Sequence, residues 1–389
     1  MNETNDILAA GWRGIAHSYA LVNQFHCLEL LRRGPAIRLY FEDLPYYNPS
    51  WKKTADIFGA DCETALRSIP PPPADLKPDA EIRIAFPFDL LRPSRADRTC
   101  VFGTAEFLMV SPRGTAGGVA VAEAQQRHGF TLLTPSVWSK HGFVRSGVAD
   151  ENVVVVPHGF DPAIFRPATQ DHRLEIRREL GVRPEDFVFL NSSAMTQNKG
   201  LHILLPAFAE LTRSRPHVRL LLKGMDALYS SKTFLDYQLD RLGAGDRQSV
   251  IDRLSYVGGA LSFAKMARLY QASDCYVSPY IAEAFNLPVL EAAGCGLPVI
   301  CTDGGSTDDF VSGDFALRIN STLQRLDLPD YPDAMGLIPD REHLADLMLR
   351  VTDDAEFRRS ARERGPQFVG KRFTWEKVVD RLLRVLLPE

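Results

Sequence analysis

A chain of 389 residues is too long for a single hydrophobic core and fits two domains. Apolar residues at 45% and charged residues at 24% are ordinary for a soluble globular protein, and a net charge of -4 gives no bulk attraction to nucleic acid. The polar start MNETND lacks signal-peptide character, no run approaches the ~20 apolar residues of a membrane span, and the six cysteines show no metal-ligand spacing.

These features describe a cytoplasmic enzyme with mostly buried thiols and no structural metal. Short β-rich apolar runs alternate with helical patterns along nearly the whole chain, which predicts parallel βαβ units. The first strand is Asp6–Ala10, feeding a Gly11–Gly14 turn and a helix through Leu21, Phe25, Leu28 and Leu31. Strands follow at Ile37–Phe41, Ile82–Phe86, Val101–Val110 and Thr131–Thr134, with the Pro70–Pro73 run confined to a loop. A second series opens at Phe187–Asn191. It continues with a helix from Leu201 to Leu211, which Pro206 should bend, and strands at Val218–Leu222, Ser255–Val257, Cys275–Ser278 and Pro298–Thr302. The join falls in the turn-rich stretch Pro157–Pro167, and Trp375, Val378, Val379, Leu382 and Leu386 give the last helix one apolar face.

The chemistry concentrates in residues 278–309, SPYIAEAFNLPVLEAAGCGLPVICTDGGSTDD. Ligands of doubly wound sheets bind beyond the carboxyl ends of strands, and Cys275–Ser278 ends there. Pro288 suits the first turn of a helix capped near Asn286 or Leu287, whose free N–H groups and dipole favour a phosphate. Glu283 lies before that helix and Glu291 within it. Carboxylates suit the vicinal hydroxyls of a sugar or ribose. The alternative is a pair of surface glutamates at a stabilised helix start.

Four segments carry a resemblance: TPSVWSKHGFVRSGV, VVVVPHGFDPAIFRP, AMTQNKGLHILLPAFAEL and EAFNLPVLEAAGCGLPVICTDGG. In their order and spacing the chain resembles the retaining glycosyltransferase family 4 of the GT-B fold. The resemblance runs from about Thr134 to about Phe310; the first 130 residues match in layout only. It implies an α/β architecture of two facing Rossmann-like domains with parallel sheets. An acceptor-side domain would span 1–165 and a nucleotide-sugar-binding domain 166–370. Residues 371–389 would form a C-terminal helix returning to the first domain.

Residue by residue, the resemblance gives Glu283 the role of supporting charge on the transferred sugar and Glu291 that of holding the nucleotide ribose. Lys199 matches the lysine that neutralises the donor phosphates. Asn286 and Leu287 match positions whose amides reach the sugar or phosphate, and Gly11 and Gly14 match the loop facing the donor from the other domain. One position departs from the family pattern: the arginine usually found five residues before the lysine is Ala194 here. Lys223, after the strand Val218–Leu222, is the candidate replacement; a solvated turn lysine is the alternative.

Breaking a glycosidic bond to a nucleoside diphosphate builds positive charge on the ring and negative charge on the leaving phosphate. Lys199 and the helix start answer the second, Glu283 the first. The chain contains no Asp-x-Asp, so transfer is expected without a metal and without a cofactor, the nucleotide-sugar being a substrate. Retention at the anomeric carbon is implied by the resemblance.

On the acceptor side, His17 and Glu106 are candidates. A helix-start or packing role is the alternative for His17. Tyr46, Tyr47 and Trp51 read as loop anchors before sugar-stacking rings, and His158 as a hinge residue. The acceptor is expected to be a saccharide or glycolipid in surface polysaccharide or glycolipid assembly, a setting compatible with peripheral membrane association; oligomeric state is not legible. A sugar-nucleotide epimerase or phosphorylase on the same fold, and a non-catalytic sugar-binding protein, stay open as alternatives. A nicotinamide enzyme does not fit, because Gly-Trp-Arg-Gly lacks the Gly-x-Gly-x-x-Gly pattern.

Overall fold

The computed structural model describes residues 4–388; Met1–Glu3 of the polar start and the terminal Glu389 lie outside the described residues. The chain forms two compact units, one of Met1–Gly159, Arg325–Met335 and Trp375–Glu389, the other of Phe160–Gln324 and Gly336–Thr374.

The first unit is built on β1 (Asn5–Gly11), α1 (Ser18–Arg32), β2 (Ile37–Asp43), α2 (Ala60–Ser68), β3 (Ala80–Ile84), β4 (Arg98–Phe102), α3 (Val121–His128), β5 (Thr131–Thr134), α4 (Val137–Arg145) and β6 (Val153–Val155). All its strand pairings are parallel, in the order β2-β1-β3-β4-β5-β6. Ile7, Leu8, Ala9 and Ala10 are buried in succession, as a central strand covered on both faces requires. Because β2 lies on one side of β1 and β3 on the other, the chain reverses its direction of winding between β1 and β3.

Two strand expectations need correction here. The strand predicted at Val101–Val110 ends at Phe102, and the following residues turn: Leu108 adopts a left-handed φ of 53° and its N–H bonds the Ala105 carbonyl at 3.2 Å. The strand predicted at Ile82–Phe86 is shifted to Ala80–Ile84 and stops short of Pro87, which has no N–H to give a ladder.

The second unit holds α5 (Gln170–Glu179), β7 (Phe187–Ser192), α6 (Leu201–Thr212), β8 (Val218–Lys223), α7 (Ser231–Asp240), α8 (Ala244–Ile251), β9 (Leu254–Val257), α9 (Phe263–Ala272), β10 (Cys275–Ser278), α10 (Leu287–Gly294), β11 (Val299–Thr302), β12 (Ala316–Ile319), α11 (Arg341–Asp353) and α12 (Ala355–Gly370), together with β13 (Ser321–Arg325) and β14 (Met335–Pro339) except for Arg325 and Met335. Its main sheet runs β12-β11-β10-β7-β8-β9, again all parallel, with the winding reversed between β7 and β10. Pro206 sits inside α6, which runs without interruption from Leu201 to Thr212. β13 and β14 pair as a two-stranded ribbon that the periodicity did not announce.

The last helix, α13 (Trp375–Leu386), belongs to the first unit and packs on α1. Its apolar face of Trp375, Val378, Val379, Leu382 and Leu386 is buried, and the Trp375 ring stacks on Phe25 at 4.5 Å and 12°. Each such side chain contributes roughly 1.5–3 kcal/mol by leaving water. An Arg33–Asp380 ion pair at 2.8 Å closes the helix edge. All six cysteines are free thiols; five are buried and Cys62 is half-buried. Among the described residues, no helix is long and apolar enough to cross a membrane.

Candidate active site

In a doubly wound sheet the crevice for a ligand opens where the winding reverses, beyond the strand carboxyl ends. In the second unit this is the gap between the segments following β7 and β10. They are laced together: the Asn198 carbonyl accepts the Ile281 N–H at 2.7 Å, and Asn198 Nδ2 donates to the Ala282 carbonyl at 2.9 Å. Gly200 makes the approach possible. A Cβ there would lie 1.8 Å from the Pro279 carbonyl oxygen, and its φ of +74° is left-handed.

Across this crevice the Lys199 ammonium pairs with the Glu283 carboxylate, Nζ to Oε1 at 3.0 Å, both side chains retaining about 15% exposure. Two residues singled out 84 positions apart are thus brought into contact. α10 starts as Pro288 and the cap predict. Asn286 takes a left-handed φ of 76° and its Nδ2 donates to Ser278 Oγ at 2.9 Å. The backbone amides of Asn286 and Leu287 carry no hydrogen bond within the described residues, so both are available to an anion.

Glu291, one turn into α10, is half-buried. Its Oε2 accepts the Tyr270 hydroxyl at 2.7 Å. Burial raises its pKa from the ordinary carboxylate value to about 7, against which the Tyr270 bond pulls downward.

Lys223 stands differently from the solvated turn lysine weighed above. It is the last residue of β8, only 2% exposed, and its ammonium donates to the Gly224 carbonyl. Burial lowers its pKa to about 8, opposed by the Asp226 charge. The Lys223 carbonyl accepts the Ser193 N–H at 3.0 Å, placing it beside the segment that holds Ala194.

In the first unit the reversal lies between β1 and β3. A Cβ on Gly11 would lie 2.2 Å from the Ile84 carbonyl oxygen, so the two strand ends meet as closely as at Gly200. Gly14 is spent internally: its N–H donates to Gln24 Oε1 at 3.0 Å and its carbonyl accepts the Thr54 N–H at 2.7 Å. His17 caps α1, with Nδ1 accepting the Tyr19 N–H at 3.2 Å. It also packs against the rings of Trp12 at 5.1 Å and Trp51 at 5.3 Å. Burial lowers its pKa to about 4, so the imidazole is neutral near pH 7.

Trp12 Nε1 donates to the Pro45 carbonyl and the Tyr46 hydroxyl to the Arg13 carbonyl, both at 2.8 Å, which makes Tyr46 the loop anchor expected. Tyr47 is 58% exposed. Glu106 falls in the turn after β4, where its carbonyl accepts Trp138 Nε1 at 2.8 Å. His158 is buried between the Phe102 and Trp375 rings, with a pKa near 3 from burial first and His26 second.

Sequence reasoning missed Trp12 and Tyr270. Trp12 was legible as the aromatic inside the first turn; Tyr270 had no local signal.

These two parallel six-stranded sheets, each with a crevice at its reversal point, define the GT-B class. Residues 172–317, which contain Lys199, Lys223, Glu283 and Glu291, match the family described as Glycosyl transferases group 1, so this span is a group 1 domain. Over 169 residues the chain is 34% identical to a D-inositol 3-phosphate glycosyltransferase of Segniliparus rotundus, covering 42% of this chain and 35% of that protein. Over 241 residues it is 24% identical to a GDP-mannose-dependent monoacylated alpha-(1-6)-phosphatidylinositol monomannoside mannosyltransferase of Corynebacterium glutamicum, covering 60% and 56%. The match thus spans between 35% and 38% of the length of three inositol-phosphate glycosyltransferases. The fold is shared with Anabaena HepE, solved in complex with UDP and glucose, at a TM-score of 0.69 and 17% identity, covering 98% of this chain and 99% of that one.

Proposed function

We propose that the protein is a glycosyltransferase that moves a sugar from a nucleoside-diphosphate donor to an acceptor hydroxyl, with retention and without a metal. The observation that carries this reading is the Lys199–Glu283 pair at the β7/β10 reversal, inside the group 1 span. In the reaction the bond from the anomeric carbon to the phosphate oxygen breaks, and its electron pair leaves with the diphosphate. The acceptor oxygen bonds to the same face of that carbon, and its proton passes to the leaving phosphate.

Lys199 and the Asn286 and Leu287 amides compensate the leaving charge, which is the task a cation would otherwise perform. Glu283 supports the cationic ring, and Glu291 takes the ribose hydroxyls. His17 and Glu106 are assigned catalytic roles on the side facing the acceptor, Gly14 to the loop facing the donor, and Lys223 to a second contact with the diphosphate. The phosphatidylinositol-mannoside and lipopolysaccharide enzymes among the relatives support a saccharide or glycolipid acceptor in a glycolipid or surface-polysaccharide setting, one compatible with peripheral membrane association.

The test is a thermal-shift panel of UDP-, GDP- and ADP-sugars, followed by turnover with and without chelator. A donor at about 100 times its dissociation constant should add ~2.7 kcal/mol to stability. One donor should raise the midpoint, and chelation should leave most of the turnover. No stabilisation by any donor sinks the donor reading. Turnover lost on chelation and restored by magnesium or manganese sinks the metal-independent one.

A further inference from the structure

We infer that Tyr270 is a positioning residue for the nucleoside end of the donor: its hydroxyl fixes one oxygen of the Glu291 carboxylate and leaves the other turned to the ribose. This rests on the donor reading above.

Tyr270 projects from α9 and is 0% exposed. Its ring is held edge-on to Phe165 at 5.9 Å and tilted against Tyr276 at 5.9 Å. A buried phenol needs a partner for its O–H, and here it is Glu291 Oε2 at 2.7 Å. Oε1 of the same carboxylate makes no hydrogen bond within the described residues.

The groups facing Glu291 are Tyr270 from α9, Tyr276 from β10 and Cys295, which caps the C-terminal end of α10. The Tyr276 hydroxyl is already engaged, donating to the Ser192 carbonyl at 3.0 Å and accepting the Ser192 N–H at 3.3 Å. Burial pushes the Cys295 thiol up, so it adds no charge of its own. No cation offsets the burial of Glu291. Tyr270 is therefore the group that orients this carboxylate and favours its ionised, acceptor-only form.

The experiment measures binding of UDP, GDP and ADP, and of their 2′-deoxy counterparts, by calorimetry from about pH 6 to 8.5. The proteins are wild type, Tyr270→Phe, Glu291→Gln and the double variant. Taking the ratio of ribo to deoxy affinity cancels the titration of the phosphates. For the nucleotide that binds wild type, Tyr270→Phe should cut the ribo preference about tenfold. The pH at which that preference appears should move upward, since the carboxylate loses the bond that stabilises its charge. Glu291→Gln should abolish the preference and make Tyr270→Phe silent on top of it.

Phenylalanine keeps the ring and its packing, so a purely structural tyrosine would change the thermal midpoint and leave both the ratio and its pH midpoint alone. That result overturns the inference while the donor reading stands. Failure of wild type to bind any of the three nucleotides overturns the donor reading itself.

Discussion

The two crevices use one backbone device and opposite side-chain chemistry. At β1/β3 and at β7/β10 a glycine lets the segment after the earlier strand reach a carbonyl at the end of the neighbouring one, Gly11 to Ile84 and Gly200 to Pro279. Beyond that shared approach the linings diverge. The β7/β10 crevice holds fixed charge, an ammonium on a carboxylate beside two unbonded amides. After β1 the packing is aromatic instead: a fully buried Trp12 and the half-buried Trp51 flank an imidazole that burial keeps neutral. Oriented charge suits an anionic ligand on which further negative charge develops in the reaction. Neutral ring faces suit the C–H surface of an uncharged sugar. The fold supplies the place, and the side chains supply the ligand class.

The largest expected effect breaks the charged crevice. Glu283→Gln keeps the shape and removes the carboxylate charge, which matters most when the ring is cationic. Turnover should fall about 10²–10³-fold. Nucleoside-diphosphate affinity should hold or rise, because Lys199 is released from its partner. Steady-state kinetics alongside calorimetry separate the two quantities. Near-normal turnover would mean that the charge contrast between the crevices is incidental.

The same contrast explains what the sequence revealed. β7, β8, β10 and β11 were legible because each is a short apolar run closed by turn residues, and Lys199 and Glu283 because they stand in compact motifs beside Gly200 and Pro288. The apolar string Val101–Val110 misled because a left-handed Leu108 leaves no trace in composition. β6, at three residues, is too short to show a period, and β12 breaks its apolar run with the exposed Arg318. The Tyr270–Glu291 bond joins positions 21 apart on different helices, so only packing brings it about. Trp12, His17 and Trp51 converge from two separate loops for the same reason. Burial of Lys223 depends on β8 running one residue further than its apolar run.

The aromatic crevice is sharpened by Trp51→Ala. It removes the ring lying 5.3 Å from His17 and 5.7 Å from Trp12 while leaving every charged group of the group 1 domain in place. If the rings hold the acceptor, transfer should drop about tenfold, while hydrolysis of the donor by water stays within about twofold. The partition between the two products reports this directly. Because the folded-state pKa of His17 is lowered from 6.5 to about 4, its neutral form is the one the fold favours, and any stability it contributes is present above 6.5 and lost as pH falls from there through about 4. The transfer profile should therefore show no inflection from His17 between about pH 5.5 and 8. Equal losses of transfer and hydrolysis in Trp51→Ala would make Trp51 a loop anchor.

The smallest effect expected is at Lys223, and it carries two signs. The folded-state pKa is depressed from 10.5 to about 8 by burial, so the fold favours the neutral amine. The stability this group contributes is complete above the unfolded value and is lost as pH falls through about 8. At pH 7 the ammonium is thus a burden on the apo protein, and Lys223→Met, which keeps the bulk, should raise the thermal midpoint by about 1–3 °C. A diphosphate would reverse the balance by giving the buried charge a partner, since an ammonium bonds an anionic oxygen more strongly than the neutral Gly224 carbonyl it now meets. Lys223→Ala should accordingly weaken nucleoside-diphosphate binding about fivefold and leave the bare nucleoside unchanged. Lys199→Ala should cost more, because its ammonium is less buried and already faces the crevice. If both lysines meet the same diphosphate, the double variant should depart from the sum of the two losses. A gain in midpoint with no loss of diphosphate affinity would mark Lys223 as a buried lysine that the fold tolerates, and the place of the arginine absent at Ala194 would be empty of charge.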